Sequence, residues 1–294
     1  MNSDINYSIG FIGTGVMGAS MAGHLLNAGK NLTVFNRTRS KSDKLIENGA
    51  TWSNSPEELA IKNDLIITML GYPADVESIY FGENGLIANA RPGSFLVDMT
   101  TSSPVLAKKI YAAALAKGLF ALDAPVSGGD IGARNATLII MTGGEREVFE
   151  KLLPVLKIFG ERVHYHGVAG SGQHTKMCNQ IAIAGGMLGV CEALAYARKS
   201  GLDPQKVLES ISHGAAGSWS LSNLAPRILN DDFSPGFFVK HFIKDMRIAL
   251  ESAQEMELDL PGLKLAHELY EQLAQQGYED SGTQALFKLY TNGF

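Results

Sequence analysis

The sequence predicts an α/β protein in which a doubly wound parallel sheet precedes an all-helical C-terminal region. Short apolar runs alternate with helical patterns as far as residue 167, which is typical of βαβ units. A long segment without proline follows, and the segments after it show helical patterns only. We therefore expect two domains, residues 1–167 and residues 168–294, in a chain long enough to bury two cores.

The predicted elements follow in chain order. Strand-like runs occupy residues 7–13, 32–37, 64–70, 95–100, 119–128, 137–144 and 162–167. Helical patterns in the same half cover residues 15–29, part of 40–50, and 103–118. Residues 171–201 then predict one long interdomain helix, and further helices are expected in residues 203–214, 221–230, 240–256 and 263–277.

Composition excludes several classes of protein. A net charge of −5 gives no electrostatic footprint for nucleic acid. No segment reaches about 18 uninterrupted apolar residues, and the start of the sequence lacks the pattern of a signal peptide, so we expect a cytoplasmic protein without a membrane span. The two cysteines, Cys178 and Cys191, would lie about 20 Å apart along one helix, too far for a disulfide. We expect both to be buried thiols.

The first strand is followed by GTGVMG, which has glycines in the G-x-G-x-x-G spacing and opens a helix. In such a turn the first glycine permits the bend, the second lets a pyrophosphate approach the backbone, and the third allows close packing of helix on strand. The helix N-terminus then offers N–H groups to the phosphates. A glycine-rich turn without a ligand is the alternative. The predicted cofactor contacts here are Gly13, Thr14, Gly15, Val16, Met17 and Gly18.

The end of the second strand predicts which dinucleotide binds. An acidic residue there would bind the ribose 2′-hydroxyl of NAD, but this chain has Asn36, Arg37 and Thr38, followed by Arg39. A guanidinium beside two hydrogen-bonding side chains favours the 2′-phosphate of NADP. The alternative is that Arg37 is a solvated surface charge.

Further cofactor contacts are expected where the next strands end, because ligands bind at the carboxyl ends of parallel strands. Met69 and Leu70 end one strand, and Thr101 follows the next. Ser103 precedes Pro104, which indicates a helix N-cap.

The segment DAPVSGG supplies a candidate substrate site. Ser127 is followed by Gly128 and Gly129, so a hydroxyl lies beside successive backbone N–H groups that suit a carboxylate. An ordinary turn is the alternative reading. We expect the residues after it, around Gly132 and Ala133, to form a small loop.

Lys176 lies in an otherwise apolar part of the long helix, with Asn179 and Gln180 three and four residues later on the same face. Lysine is almost never fully buried without a partner, and desolvation lowers its pKa towards neutrality, as acid–base catalysis requires. The alternative is a lysine whose side chain reaches the surface or pairs with a carboxylate.

Four motifs in this order, GFIGTGVMG, DAPVSGG, GSGQHTKMCNQ and KDMRIAL, resemble those of the β-hydroxyacid dehydrogenases over essentially the whole chain. The resemblance implies a Rossmann-type first domain, a catalytic Lys176, and a carboxylate substrate bound by Ser127, Gly128 and Gly129. It also implies that Asn179 or Gln180 contacts substrate and that Lys244 lies near the nicotinamide, with Asp245 orienting its neighbours. A homodimer or homotetramer is implied as well, with Met187, Leu188 and Val190 as candidate contacts.

The expected activity is therefore NADP(H)-dependent interconversion of a small β- or γ-hydroxyacid and its semialdehyde. Trp219 would either close over the substrate or anchor the helical core. Two other functions compete with this one. An imine reductase shares the expected architecture but generally lacks the lysine, and a non-catalytic NADP-binding interaction module fits poorly with Lys176 and Ser127 both present.

Overall fold

The computed structural model describes residues 7–291 and contains one nine-stranded, mostly parallel sheet with helices packed on it. The strands are β1 (Ile9–Ile12), β2 (Leu32–Phe35), β3 (Thr51–Trp52), β4 (Leu65–Thr68), β5 (Phe95–Asp98), β6 (Phe120–Asp123), β7 (Val126–Ser127), β8 (Leu138–Gly144) and β9 (Gly160–Gly167). The helices of the first half are α1 (Val16–Asn27), α2 (Asp43–Glu47), α3 (Pro56–Lys62), α4 (Pro73–Phe81), α5 (Leu86–Asn89), α6 (Pro104–Ala116), α7 (Gly129–Arg134) and α8 (Arg146–Leu156). The remaining helices are α9 (Ser171–Lys199), α10 (Pro204–Ile211), α11 (Trp219–Asn223), α12 (Ala225–Leu229), α13 (Val239–Glu255), α14 (Pro261–Leu273) and α15 (Lys288–Thr291).

The strand order is β3-β2-β1-β4-β5-β6-β8-β7, and β9 pairs with β8. All pairs from β3 to β6 are parallel. The order reverses direction at β1, which lies between β2 and β4. In open sheets of this kind ligands bind beside such a switch point, at the carboxyl ends of the strands.

Both faces of the central strands β1, β4 and β5 are buried, which explains why these strands are almost wholly apolar. Ile67 of β4 packs in one apolar cluster with α1 and α8, whereas its neighbour Ile66 packs in a second cluster with α4 and α6. Successive side chains of a strand point to opposite faces, so this alternation places helices on both sides.

The doubly wound sheet predicted from the sequence is confirmed, but two local expectations are wrong. Residues 119–128 form two strands, β6 and β7, because Pro125 lies between them and has no N–H to donate to a ladder. Both strands pair with β8 in antiparallel direction. The loop expected around Gly132 and Ala133 is the short helix α7, which begins after Gly128 at a φ of +126°.

Chain contacts divide the protein into a compact unit that ends at Lys176 and another that begins at Met177. The division falls inside α9, so this helix belongs to both units. The boundary expected at residue 168 precedes the helix and stays a prediction. Helix α9 is long and apolar enough to cross a membrane by length and composition alone. That is weak evidence, because much of its apolar surface forms the core of the helical unit.

Packing corrects two expectations for the helical unit and excludes one of the two alternatives for Trp219. Met187, Leu188 and Val190, expected at a contact between subunits, are buried in the unit's own core instead. Cys178 is exposed rather than buried. Cys191 is buried as expected, and burial raises the pKa of its thiol. The indole of Trp219 is 66% exposed, which excludes its role as an anchor of the helical core.

Candidate active site

Packing explains two of the three glycines between β1 and α1, and the third remains available to a ligand. Gly13 has a φ of +97°, and a Cβ there would lie 2.2 Å from the Met69 carbonyl oxygen. A Cβ on Gly18 would lie 1.9 Å from the Gly13 carbonyl oxygen. By contrast, a Cβ on Gly15 would meet no atom within 4 Å. No side chain among the described residues caps the N-terminus of α1, so this turn fits the pyrophosphate of a dinucleotide.

The end of β2 is tied to this turn by the side chain of Asn36. Its Oδ1 accepts a hydrogen bond from the Thr14 N–H at 3.1 Å, and its Nδ2 donates to the Thr38 carbonyl oxygen at 2.8 Å. The Thr14 hydroxyl is buried against that of Ser42 at 2.8 Å. Asn36 and Thr14 therefore shape the turn, and direct contact of either side chain with the cofactor stays a prediction.

Arg37 can reach a ligand at the same place, since its side chain is 90% exposed and its ion pair with Asp75 is long at 3.6 Å. Next to it, the Arg39 guanidinium lies over the Trp52 ring, which stacks on Phe35. An exposed guanidinium beyond β2 fits the phosphate expected there.

A buried polar network fixes the loops after β4 and β5. Thr68 donates to Asp98 Oδ1 at 2.9 Å, and the Thr100 N–H donates to the same atom at 3.1 Å. The Thr100 hydroxyl accepts from the Leu70 N–H at 2.9 Å, which joins the two loops that carry the predicted contacts Met69, Leu70 and Thr101. Burial raises the pKa of Asp98 to about 6, although the hydrogen bonds from both threonines oppose the shift. Ser103 caps α6 as expected, accepting from the Leu106 N–H at 3.0 Å.

The SGG turn is built on β8 and docked against α1. Ser127 pairs in register with Ile139 of β8. Gly128 and Gly129 follow with φ angles of +126° and +61°, which are strained for other residues. The helix α7 that they open meets α1 where His24 Nε2 lies 2.9 Å from the Ala133 carbonyl oxygen. The candidate carboxylate site and the dinucleotide turn are thus held in one unit.

Lys176 is 7% exposed and lies in the second turn of α9, whose first turn is anchored to the sheet. Asp123, at the end of β6, accepts hydrogen bonds from the N–H groups of Gly170 at 2.8 Å and Gln173 at 2.9 Å. The Gln173 side chain accepts from the Ser102 N–H at 3.0 Å and donates to the Thr100 carbonyl oxygen at 2.8 Å. The amine is therefore carried by a helix that is fixed to the ends of β5 and β6, beside the loops with the predicted cofactor contacts.

In the helical unit, Asp245 organises the other predicted residues. Gln180 Nε2 donates to Asp245 Oδ2 at 2.6 Å, and Asn179 Nδ2 donates to Gln180 Oε1 at 2.7 Å. Lys244, with a side chain 13% exposed, lies 2.9 Å from Asp245 Oδ1. Both ends of the Gln180 amide are engaged, and which of the two amides contacts substrate stays a prediction.

Sequence reasoning missed Asp98 and Gln173, and it gave Asp123 no role. Asp98 and Asp123 each end a buried strand, and a carboxylate at such a place is a recognisable signal. No local pattern indicates that the partners of the Gln173 side chain lie more than 70 residues earlier in the chain. Among residues 7–291 no group of three or more His, Cys, Asp or Glu side chains could hold a metal ion.

The chain matches two family models that together span most of its length. Residues 8–167 match the NAD binding domain of 6-phosphogluconate dehydrogenase, and residues 170–290 match the NAD-binding region of NADP-dependent 3-hydroxyisobutyrate dehydrogenase. The order of the two matches follows the order of the two units.

Similar proteins of related names come from bacteria and plants. An uncharacterized oxidoreductase, YkwC, of Bacillus subtilis is 62% identical over 96% of this chain and 98% of its own. A probable mitochondrial 3-hydroxyisobutyrate dehydrogenase-like protein of Arabidopsis thaliana is 50% identical over 97% of this chain and 87% of its own. The NAD-dependent L-serine dehydrogenase of Pseudomonas aeruginosa is 37% identical over 96% of this chain and 97% of its own. The solved 3-hydroxyisobutyrate dehydrogenase of Mycobacterium tuberculosis with L-serine superimposes with a TM-score of 0.90 at 30% identity, covering 97% of this chain and 99% of that one.

Proposed function

Since the chain belongs to the 3-hydroxyisobutyrate dehydrogenase-like family of β-hydroxyacid dehydrogenases, we propose that it interconverts a small β- or γ-hydroxyacid and its semialdehyde with NADP(H). The observation that carries this proposal is the burial of Lys176 on a helix anchored at the strand ends. An amine held at the carboxyl ends of the strands is placed for proton transfer to or from a bound substrate, which supports this proposal.

Lys176 is the proposed general acid and base. When bound, the nicotinamide supplies hydride to the carbonyl carbon or accepts it from the alcohol carbon. In reduction the Lys176 ammonium donates its proton to the carbonyl oxygen as negative charge develops there. In oxidation the neutral amine removes the hydroxyl proton.

The remaining predicted residues hold the substrate in place. The Ser127 hydroxyl and the N–H groups of Gly128 and Gly129 are proposed to bind its carboxylate, so that the reacting carbon is oriented before reaction. Asn179 is proposed to bind the hydroxyl or carbonyl oxygen, supported by Gln180 in the arrangement described above.

NADP is the proposed cofactor because Arg37 is exposed beyond β2 and no acidic side chain follows that strand directly. The Pseudomonas relative is named as NAD-dependent, so the preference of this chain for NADP over NAD must be measured directly. Titration of the enzyme with NADPH and NADH, followed by nicotinamide fluorescence, compares the two dissociation constants directly. Equal affinities would contradict the proposed preference.

The activity is tested by following absorbance at 340 nm. NADPH oxidation is measured with succinic semialdehyde, glyoxylate, tartronate semialdehyde, methylmalonate semialdehyde and a cyclic imine. NADP+ reduction is measured with 3-hydroxyisobutyrate and L-serine. Turnover with one carboxylate substrate and not with the imine supports the proposal, and tight NADPH binding without any turnover contradicts it.

The role of Lys176 is tested by Lys176→Ala. Loss of a general acid or base typically lowers the rate on the order of 10²–10⁴-fold, so kcat should fall by that factor. The dissociation constant of NADPH should change by no more than about twofold, because the predicted phosphate contacts lie at other residues. A variant that keeps kcat within a few-fold of the parent would exclude this role.

We also propose that the protein is a homo-oligomer. The exposed face of α9 is mostly uncharged, with Cys178, Ala182, Gly185, Gly189 and Tyr196 along it and the charged Glu192 between the last two. These residues recur at helical spacing on one side of the helix, which favours contact with another subunit. Light scattering after size exclusion measures the mass, and a mass of about 31.5 kDa at micromolar concentration would contradict the proposal.

A further inference from the structure

We infer that Asp123 and Gln173 are positioning residues that hold the Lys176 amine at the reacting atoms. This inference rests on the proposed role of Lys176 in the function above. Neither side chain is required to touch the substrate or the cofactor. Each acts on the first turn of α9, one turn before the lysine.

Asp123 serves as a capping group for α9 although it lies 48 residues before the helix begins. The first N–H groups of a helix have no partner within the helix. Here the Asp123 carboxylate takes two of them, with Oδ1 bonded to the Gly170 N–H and Oδ2 bonded to the Gln173 N–H. Charged acceptors make strong hydrogen bonds with backbone donors, so the helix start is fixed to the end of β6.

Close backbone packing leaves the helix start little freedom. A Cβ on Gly172 would lie 2.4 Å from the Met141 carbonyl oxygen, and a Cβ on Gly143 would lie 2.8 Å from the Gly172 nitrogen. Gly170 has a φ of +89°, which favours glycine at the bend before the helix. The first turn of α9 thus begins directly on the backbone of the sheet, and glycines on both sides make this possible.

Gln173 adds a second attachment, to the loop after β5. Its amide accepts a hydrogen bond from the Ser102 N–H and donates one to the Thr100 carbonyl oxygen, and the side chain is fully buried. Lys176 follows three residues later, at the same side of the helix as Gln173. A shift of the first turn away from either strand would move the amine with it, because a helix transmits displacement rigidly over one turn.

The decisive experiment is a double-mutant cycle with Asp123→Asn and Lys176→Ala. Asparagine keeps the size of the side chain but offers one acceptor oxygen, so one of the two backbone N–H groups faces an amide NH2 instead. In the parent enzyme this change should lower kcat on the order of 10- to 100-fold, because displacing a catalytic group by about 1 Å can lower the rate about 10²-fold. The same change is then made in the Lys176→Ala background, which is assayed at high enzyme concentration with methylamine added. There it should lower kcat by less than about twofold.

Each outcome has a separate meaning. An equal loss in both backgrounds, or no loss in the parent, overturns the inference while leaving the role of Lys176 intact. A Lys176→Ala enzyme with nearly full activity overturns the proposed role of Lys176, and with it the premise of this inference. Fluorescence titration with NADPH accompanies every variant, and the inference requires its dissociation constant to stay within about threefold.

Gln173→Asn is the second variant, and it is used if Asp123→Asn does not fold. The shorter side chain withdraws the amide from Ser102 and Thr100, and it should lower kcat about tenfold with the same dependence on Lys176. The matched control is Asp203→Ala, which removes the carboxylate that caps α10 by accepting from the Gln205 N–H at 3.0 Å. The control should lower the melting temperature and leave kcat unchanged, which separates a general loss of stability from a displaced amine.

Discussion

Gly15→Ala should weaken binding of the dinucleotide without weakening the fold. The Cβ that the substitution adds would meet no protein atom within 4 Å. The backbone at Gly15, with φ −72° and ψ −163°, is extended and accessible to alanine. The free energy of unfolding should therefore stay constant or rise by about 0.4–1 kcal/mol, because alanine restricts the unfolded chain.

The substitution should instead lower the affinity for the dinucleotide. The new methyl group occupies the space through which a pyrophosphate approaches the N-terminus of α1, so one or two charge-assisted hydrogen bonds to backbone N–H groups are lost. At about 2 kcal/mol for each such bond, the loss of one or two bonds weakens binding by about 2–4 kcal/mol. The dissociation constant of NADPH should therefore rise about 30- to 1,000-fold. Fluorescence titration measures this constant, and a thermal melt of the enzyme without cofactor measures stability.

Two other glycines serve as controls for the same measurements. Gly18→Ala places a Cβ 1.9 Å from the Gly13 carbonyl oxygen, so α1 must move off β1 and the free energy of unfolding should fall by about 1–3 kcal/mol or more. Gly29→Ala, at a φ of +72° beyond the other end of the helix, should cost about 1 kcal/mol of stability and leave NADPH binding unchanged. If Gly15→Ala bound NADPH within threefold of the parent, or lost stability as Gly18→Ala does, the assignment of this turn to the pyrophosphate would be refuted.

Three further predictions address the cofactor preference, the buried carboxylate of β5 and the start of α9. Arg37→Ala should raise the dissociation constant of NADPH about tenfold while leaving that of NADH unchanged, as measured by fluorescence; a parallel loss for both would show that Arg37 does not contact the 2′-phosphate. The pKa of Asp98 in the folded protein, about 6, lies above the usual value of about 3.9, so its contribution to stability is complete below pH 4 and is lost as the pH rises through 6. Relative to Asp98→Asn, the parent should lose about 3 kcal/mol in free energy of unfolding between pH 4 and pH 7 in urea titrations, and a constant difference would contradict the raised pKa. Gly172→Ala should lower the free energy of unfolding by about 1–3 kcal/mol because its Cβ would lie 2.4 Å from the Met141 carbonyl oxygen; an unchanged melting temperature would contradict the close packing of α9 on the sheet.

Local patterns were sufficient for most of the fold. The run DLIITML predicts β4 because a strand buried on both faces is apolar at every position, and Ile66 and Ile67 do enter opposite cores. The Ser103-Pro104 pair predicts the start of α6 because capping is decided within one helical turn. The prediction of a loop at residues 129–134 was wrong because a six-residue helix is too short to show a recognisable hydrophobic periodicity.

For the candidate site, the sequence by itself determined which groups are available: the glycine turn, the guanidinium after β2, the SGG turn and the single amine at Lys176. These could be found because each depends on residues close together in the chain. Only the tertiary structure decided how they are held, since Asp123 meets Gln173 across 50 residues and Gln180 meets Asp245 across 65. The same is true of Met187 and its neighbours, whose apolar side chains suit a subunit contact or a core equally well until packing buries them. Hydrophobicity and hydrogen-bonding capacity are properties of a residue, whereas the partner that satisfies them is chosen by the folded chain.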